Sequence, residues 1–191
     1  MAMTDWFEKT IFYFIFAVVA AGLFFGCSKT ESDHDHSVRE ARTFELEITY
    51  DEAMSDSLNN DKVVKSEEEW KEILSPSQYR ILRKGGTEMP FVNKYNSVYD
   101  DGIYVCAACG NPLFHSDTKY NSRSGWPSFW KPIRENAVGE REDNSLMMTR
   151  TEIICNRCDS HLGHVFDDGP EPTGLRYCMN SAALTLVEED K

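Results

Sequence analysis

The chain has 191 residues, room for one domain of ordinary size with flanking segments. Its 41% hydrophobic content, with 11 Phe, 8 Tyr and 4 Trp, is enough for a real core. A net charge of −12 argues against a nucleic-acid partner, because phosphate binding needs a basic face, and leaves solubility as the plain reading of the acidity.

Ile11 to Gly26 form an unbroken apolar run of 16 residues that ends at Cys27. A spanning helix needs about 20 apolar residues, so this run suits a signal-peptide core better. Gly26 directly before Cys27 resembles the lipobox of bacterial lipoproteins, in which the cysteine is lipidated and becomes the new N-terminus. Phe24, where that pattern prefers a smaller residue, and an n-region with Lys9 offset by Asp5 and Glu8 depart from it. An uncleaved membrane anchor and a buried helix are the other readings of residues 1–27. With either of the first two, the polar remainder is exported to a periplasm or cell surface and held at a membrane.

Residues 28–42 are charged and polar with no apolar period, the composition of a tether. His34 and His36 sit in this Asp-rich stretch and read as solvated rather than metal-binding. Residues 44–50 (FELEITY) alternate apolar and polar, which predicts a short half-buried strand, and 51–65 return to loop character. The whole span 28–65 is therefore expected to be a polar tether with a possible short strand. Ser66 followed by Glu69 is a capping box, and Trp70, Ile73 and Leu74 supply one apolar helical face. The same signal recurs at Ser75-Pro76-Ser77-Gln78, with Tyr79 and Leu82 following and Gly85-Gly86 as a stop. These residues predict a short helical hairpin.

After Thr87 the character changes. Short β-prone runs at 103–105, 146–154, 162–166 and 175–187 are separated by Gly, Pro, Asn and Asp clusters, as in a compact antiparallel sheet or sandwich. No internal repeat, P-loop or dinucleotide glycine fingerprint is present.

Four of the six cysteines fall into two Cys-x-x-Cys pairs, Cys106/Cys109 and Cys155/Cys158. Two thiolates at i and i+3 in a tight turn reach one ion, and two such knuckles complete a closed tetrahedral shell, so one structural zinc per chain is expected. An Fe–S cluster, a pair of disulfides and a redox-active Cys-x-x-Cys are the alternatives. Cys178 remains, flanked at plus and minus two by Arg176 and Asn180 on its strand face. A cation beside a thiol favours the reactive thiolate; the plain alternative is a core cysteine. His161 and His164 follow the second knuckle and read as acid–base groups near neutral pH, with Asp168 placed to orient one of them. Trp126, within Ser124-Gly-Trp-Pro-Ser-Phe-Trp130, is either an apolar wall for a ligand or plain core.

Taken together, residues 66–187 resemble the B-type methionine sulfoxide reductases. The resemblance rests on Gly-Thr-Glu (86–88), Asp-Gly-Ile-Tyr-Val-Cys (101–106), Gly-Trp-Pro-Ser-Phe (125–129), Arg-Thr-Glu (150–152), His-Leu-Gly-His-Val-Phe-Asp-Asp-Gly-Pro (161–170), Pro-Thr-Gly-Leu-Arg-Tyr-Cys (172–178) and Asn-Ser-Ala (180–182). It implies a mainly β fold of two antiparallel sheets with short N-terminal helices, ending before a tail at 188–191. It further implies reduction of the R epimer of methionine sulfoxide, free or in proteins, at the expense of a thioredoxin-like or small external thiol. Cys178 would be the nucleophile, with zinc on Cys106, Cys109, Cys155 and Cys158. His161, His164 and Asp168 would be the acid and water-positioning set. Trp126 and Phe166 would receive the substrate, while Arg176 and Asn180 polarise the site. Many relatives carry a cysteine just before Gly-Trp-Pro where this chain has Ser124, and Cys27 is read as the lipidation site. A one-cysteine cycle, resolved by an outside thiol, is therefore expected. A zinc-ribbon-like binding module and a thiol redox sensor are the rival classes.

Overall fold

The computed structural model describes residues 48–55 and 61–189. The apolar run, Cys27, His34, His36 and the first part of the tether lie outside the described residues. Among the described residues, no helix is long and apolar enough to cross a membrane.

The expected strand at 44–50 is corrected where it can be seen. Phe44–Glu47 lie outside the described residues, Ile48 and Thr49 are not in a strand, and Tyr50–Ser55 form helix α1. The reason is local. The Glu52 backbone N–H donates to Thr49 Oγ1 at 3.2 Å, and the Thr49 N–H donates to the Glu52 carboxylate at 2.9 Å. This reciprocal cap satisfies two helix N-terminal donors, which a short alternating run cannot match. Nor is all of 28–65 tether. Ala53 is buried against Ile103, Val105 and Val187, with Ile48 and Tyr50 packed beside it. The Val63 N–H donates to Arg157 O at 2.8 Å.

The helical hairpin forms as predicted. Ser66 caps α2 (Glu67–Ile73) and Ser75 caps α3 (Pro76–Leu82), each with a complete capping box. Trp70, Leu74, Ile81 and Leu82 turn into the main core. Arg83, at the end of α3, lays its guanidinium 5.0 Å from the Trp70 ring centre.

Nine strands follow: β1 (Gly102–Cys106), β2 (Pro112–His115), β3 (Lys119–Tyr120), β4 (Ser128–Phe129), β5 (Val138–Asp143), β6 (Arg150–Cys155), β7 (His161–Phe166), β8 (Arg176–Met179) and β9 (Leu184–Glu188). They build two antiparallel sheets, ordered β2-β1-β9 and β3-β4-β8-β7-β6-β5. The core joins them through aromatic rings. Phe129 of β4 stacks on Phe114 of β2 at 4.4 Å and meets Tyr104 of β1 edge-on at 5.0 Å. The run 175–187, one stretch in the sequence, is two strands in different sheets. Ser181–Ala183 form a 3₁₀ turn between them, whose first backbone amides are held by the Glu88 carboxylate.

Candidate active site and metal centre

The first cysteine of each knuckle ends a strand and the second lies in the turn beyond it: Cys106 closes β1 and Cys155 closes β6. The knuckles therefore come from different sheets. Their Sγ atoms all lie within 4.8 Å of one another, with Cys106–Cys158 at 3.7 Å and Cys109–Cys155 at 3.6 Å. A tetrahedron of thiolates about 2.3 Å from one ion has edges of about 3.8 Å, so these sulfurs fit a single ion. Asn111 Nδ2 donates towards Cys155 Sγ at 3.5 Å, and Ser160 Oγ lies 3.2 Å from Cys158 Sγ. Arg83 and Arg157 donate to the carbonyls of Cys158 and Cys109.

Cys178 lies in the six-stranded sheet, in a row that register alone defines. Tyr120, Ser128, Cys178, His164, Glu152 and Arg141 are successive cross-strand partners from β3 to β5 and share one face. Gly163 permits the close approach of β7 to β8: a Cβ there would meet Cys178 O at 2.1 Å. A small cleft of about 100 Å³ opens over the row, lined by Cys178, His164, Phe166, Trp126, Asn180, Arg150 and Thr87. Trp126 is held by its indole N–H, which donates to Glu88 O at 3.2 Å. A larger cleft of about 900 Å³ runs beside β9 and contains none of the predicted catalytic side chains, so size does not locate the chemistry.

The histidines reach the same face through a bulge. Residues i and i+3 of a regular strand point to opposite faces. Here Glu152 faces His164 and Ile153 faces Gly163, but Ile154 faces His161, so Leu162 is the extra residue. The two rings consequently lie 5.4 Å apart. His164 Nε2 meets the Asp143 carboxylate at 2.8 Å, and His161 Nδ1 meets Glu152 at 2.7 Å. Asp143 is held well below the usual carboxylate range by the Ser145 hydroxyl and backbone, and then by His164. Burial pushes His161 down, towards the neutral imidazole.

Asp168 sits elsewhere than expected. It forms a two-point ion pair with Arg176, at 2.7 and 2.9 Å, and does not orient a histidine. That orienting place is taken by Asp143 and Glu152, which the sequence reading did not single out, although Glu152 ends the Arg-Thr-Glu block. Arg176 also packs over Phe166, 4.3 Å from ring centre to guanidinium. Asn180 is buried, accepting from the Glu88 N–H and donating to Leu162 O.

The expectation that a neighbouring cation makes Cys178 a ready thiolate is also revised. Burial pushes this thiol up, outweighing the Ser124 hydroxyl, Arg176 and Ser128, which pull it down. Much of the Arg176 charge is already engaged by Asp168. Ser124 Oγ lies 3.7 Å from Cys178 Sγ.

Comparison with known proteins agrees with this geometry. A family described as the SelR domain matches residues 74–188. The chain is 58% identical to a protein of Leptospira interrogans named peptide methionine sulfoxide reductase MsrB, over 68% of this chain and 99% of that protein. Proteins of the same name from Hahella chejuensis and Methanosarcina mazei are each 55% identical, over 68% of this chain and 94% and 92% of their own lengths. With a family match across most of its length and near-complete coverage of these relatives, the chain belongs to the MsrB family of peptide methionine sulfoxide reductases.

Proposed function

We propose that this protein reduces the R epimer of methionine sulfoxide, free or within proteins, with Cys178 as nucleophile. The observation that carries the reading is the meeting of Cys178, His164, Trp126 and Phe166 in one cleft. The Cys178 thiolate attacks the sulfoxide sulfur while His164, held by Asp143, protonates the oxygen. The sulfoxide is reduced by two electrons to methionine, and Cys178 is oxidised to a sulfenic acid. His164 is assigned as the acid because it faces Cys178 across the strands and lines the cleft, whereas His161 is buried against Glu152. Trp126 and Phe166 receive the methyl and side chain, and Arg176 and Asn180 polarise the site.

A first external thiol then condenses with the sulfenic acid, releasing water. A second thiol frees Cys178 and leaves with the external disulfide. Among the described residues, the other four cysteines form the paired cluster, so none remains to resolve Cys178. Thioredoxin-like proteins or small thiols fit this role. The Cys106, Cys109, Cys155 and Cys158 set would hold zinc, which supplies a closed structural cross-link between the two sheets and no open coordination position. The apolar run before Cys27 supports export and membrane attachment, with Cys27 lipidated and oxidised exported proteins as substrates. The mass of the mature N-terminus checks this point: an unmodified, uncleaved Met1 would reject lipidation.

The deciding assay is turnover of racemic methionine sulfoxide with dithiothreitol, comparing the protein with Cys178→Ser. Consumption of one epimer only, lost in the variant, is expected. Inactivity of both proteins would instead favour a zinc-ribbon-like binding module, and a stable oxidised thiol without turnover would favour a redox sensor.

A further inference from the structure

Three serine hydroxyls form a continuous chain that ends at Cys178. Ser128 Oγ is 2.7 Å from Ser122 Oγ, Ser122 Oγ is 2.8 Å from Ser124 Oγ, and Ser124 Oγ is 3.7 Å from Cys178 Sγ. At its far end, Ser128 Oγ donates to Trp126 O at 3.2 Å. Two backbone amides also feed it: the Ser124 N–H donates to Ser122 Oγ, and the Trp126 N–H donates to Ser124 Oγ. We propose that Ser122, Ser124 and Ser128 are a reversible hydroxyl relay that positions the Cys178 proton, its hydrogen bonds reversing direction when the thiol ionises.

Donor counting supports two complete arrangements. Each hydroxyl donates once and accepts at most twice. With Cys178 protonated, the thiol donates to Ser124, Ser124 to Ser122, Ser122 to Ser128, and Ser128 to Trp126 O. With Cys178 ionised, Ser128 donates to Ser122, Ser122 to Ser124, and Ser124 to the sulfur. No oxygen exceeds two acceptances in either arrangement, even with both backbone amides included. The second arrangement delivers a charge-assisted hydrogen bond to an anion inside the protein, polarised along the chain. The ionisable groups around Cys178 are Arg176 on its own strand, paired with Asp168; His164 from β7 and Arg150 from β6, both paired with Asp143; and Tyr120 from β3, beyond Ser128.

The relay rests on the reading of Cys178 as nucleophile, but its test reads ionisation and not turnover, so the two fail separately. In the full chain, the rate of iodoacetamide capture of the Cys178 peptide is followed by mass spectrometry against pH. Ser124→Ala should move the midpoint up by about one pH unit, and Ser124→Thr, which keeps the hydroxyl, should restore it. Ser122→Ala, which removes a hydroxyl that does not touch the sulfur, should move it up by less. An unmoved or lowered midpoint in Ser124→Ala overturns the proposal. An unmoved midpoint in Ser122→Ala reduces Ser124 to an isolated donor and overturns the relay. Unfolding midpoints of the same variants identify any loss of fold; should Ser124→Ala unfold, Ser122→Ala decides alone.

Discussion

The protein uses the same side chain in two opposite settings. Cys106, Cys109, Cys155 and Cys158 meet one another at the ends of strands from both sheets, and three of them are buried. Among the described residues, Cys178 stands apart from the other cysteines; its neighbours are a serine hydroxyl, a histidine across the strands and an open cleft. Four convergent thiols suit a metal cross-link, and one thiol beside a hydroxyl and an open cleft suits a nucleophile. Environment divides the labour.

The largest effect should come from breaking each setting separately. Cys178→Ser should lower turnover by at least about 10³-fold while leaving the unfolding midpoint near its original value. Cys158→Ala should do the reverse first, removing a metal ligand and destabilising the fold by about 3–5 kcal/mol. Metal analysis and thermal unfolding together check this, and a chelator should reproduce the loss. If Cys158→Ala melts like the parent, the cluster is not the structural staple.

Next in size is His164, the proposed acid. His164→Gln should cost about 10²-fold in kcat, with His161→Gln costing less, because only His164 faces Cys178. Equal losses in steady-state assays would erase the distinction between the two rings. pH gives a further contrast. Burial raises the Cys178 thiol, so at neutral pH it is mostly protonated, and the thiolate fraction grows as pH rises. Initial alkylation and turnover rates should therefore climb with pH into the range above ordinary thiols. The stability sign is opposite. The folded state prefers the neutral thiol, and the stability tied to it is lost as pH rises through that raised value.

The smallest expected change is Ser124→Cys. Its side chain would start 3.7 Å from Cys178 Sγ, and closing to a disulfide of about 2.05 Å needs only a small loop movement. Peroxide should then protect Cys178 from alkylation as an internal disulfide, detected by peptide mass, whereas the parent should form none.

Much of this was legible in the residues. Ser66 and Ser75 marked both helix starts because a capping box is satisfied within four residues of chain. The paired cysteines announced one ion site because their spacing is itself the knuckle. Cys178, Trp126 and His164 were picked out by the motif blocks that carry them, and they do share a cleft. The strand expected at 44–50 gave way at Tyr50 to α1, because an alternating run of seven residues does not outweigh a reciprocal cap. The run 175–187 read as one β-prone stretch, with no sign of its division between two sheets, because periodicity does not record a change of sheet.

The sequence by itself determined the local devices: the caps, the knuckles, the turn glycines, and an unpaired thiol with Arg176 and Asn180 two residues to either side. That Cys178 stands outside the two Cys-x-x-Cys pairs could be read from the spacing alone. Tertiary structure decided everything that depends on which strand lies beside which. The bulge at Leu162 brings His161 and His164 to one face, although their spacing alone would set them apart. Register places His164 opposite Cys178 and leaves Asp168 to Arg176, with Asp143 and Glu152 orienting the rings. Burial then sets the thiol's acidity against its nearby cation. Local hydrogen bonds are written within a few residues of chain, but facing, partnership and desolvation are properties of the assembled sheets.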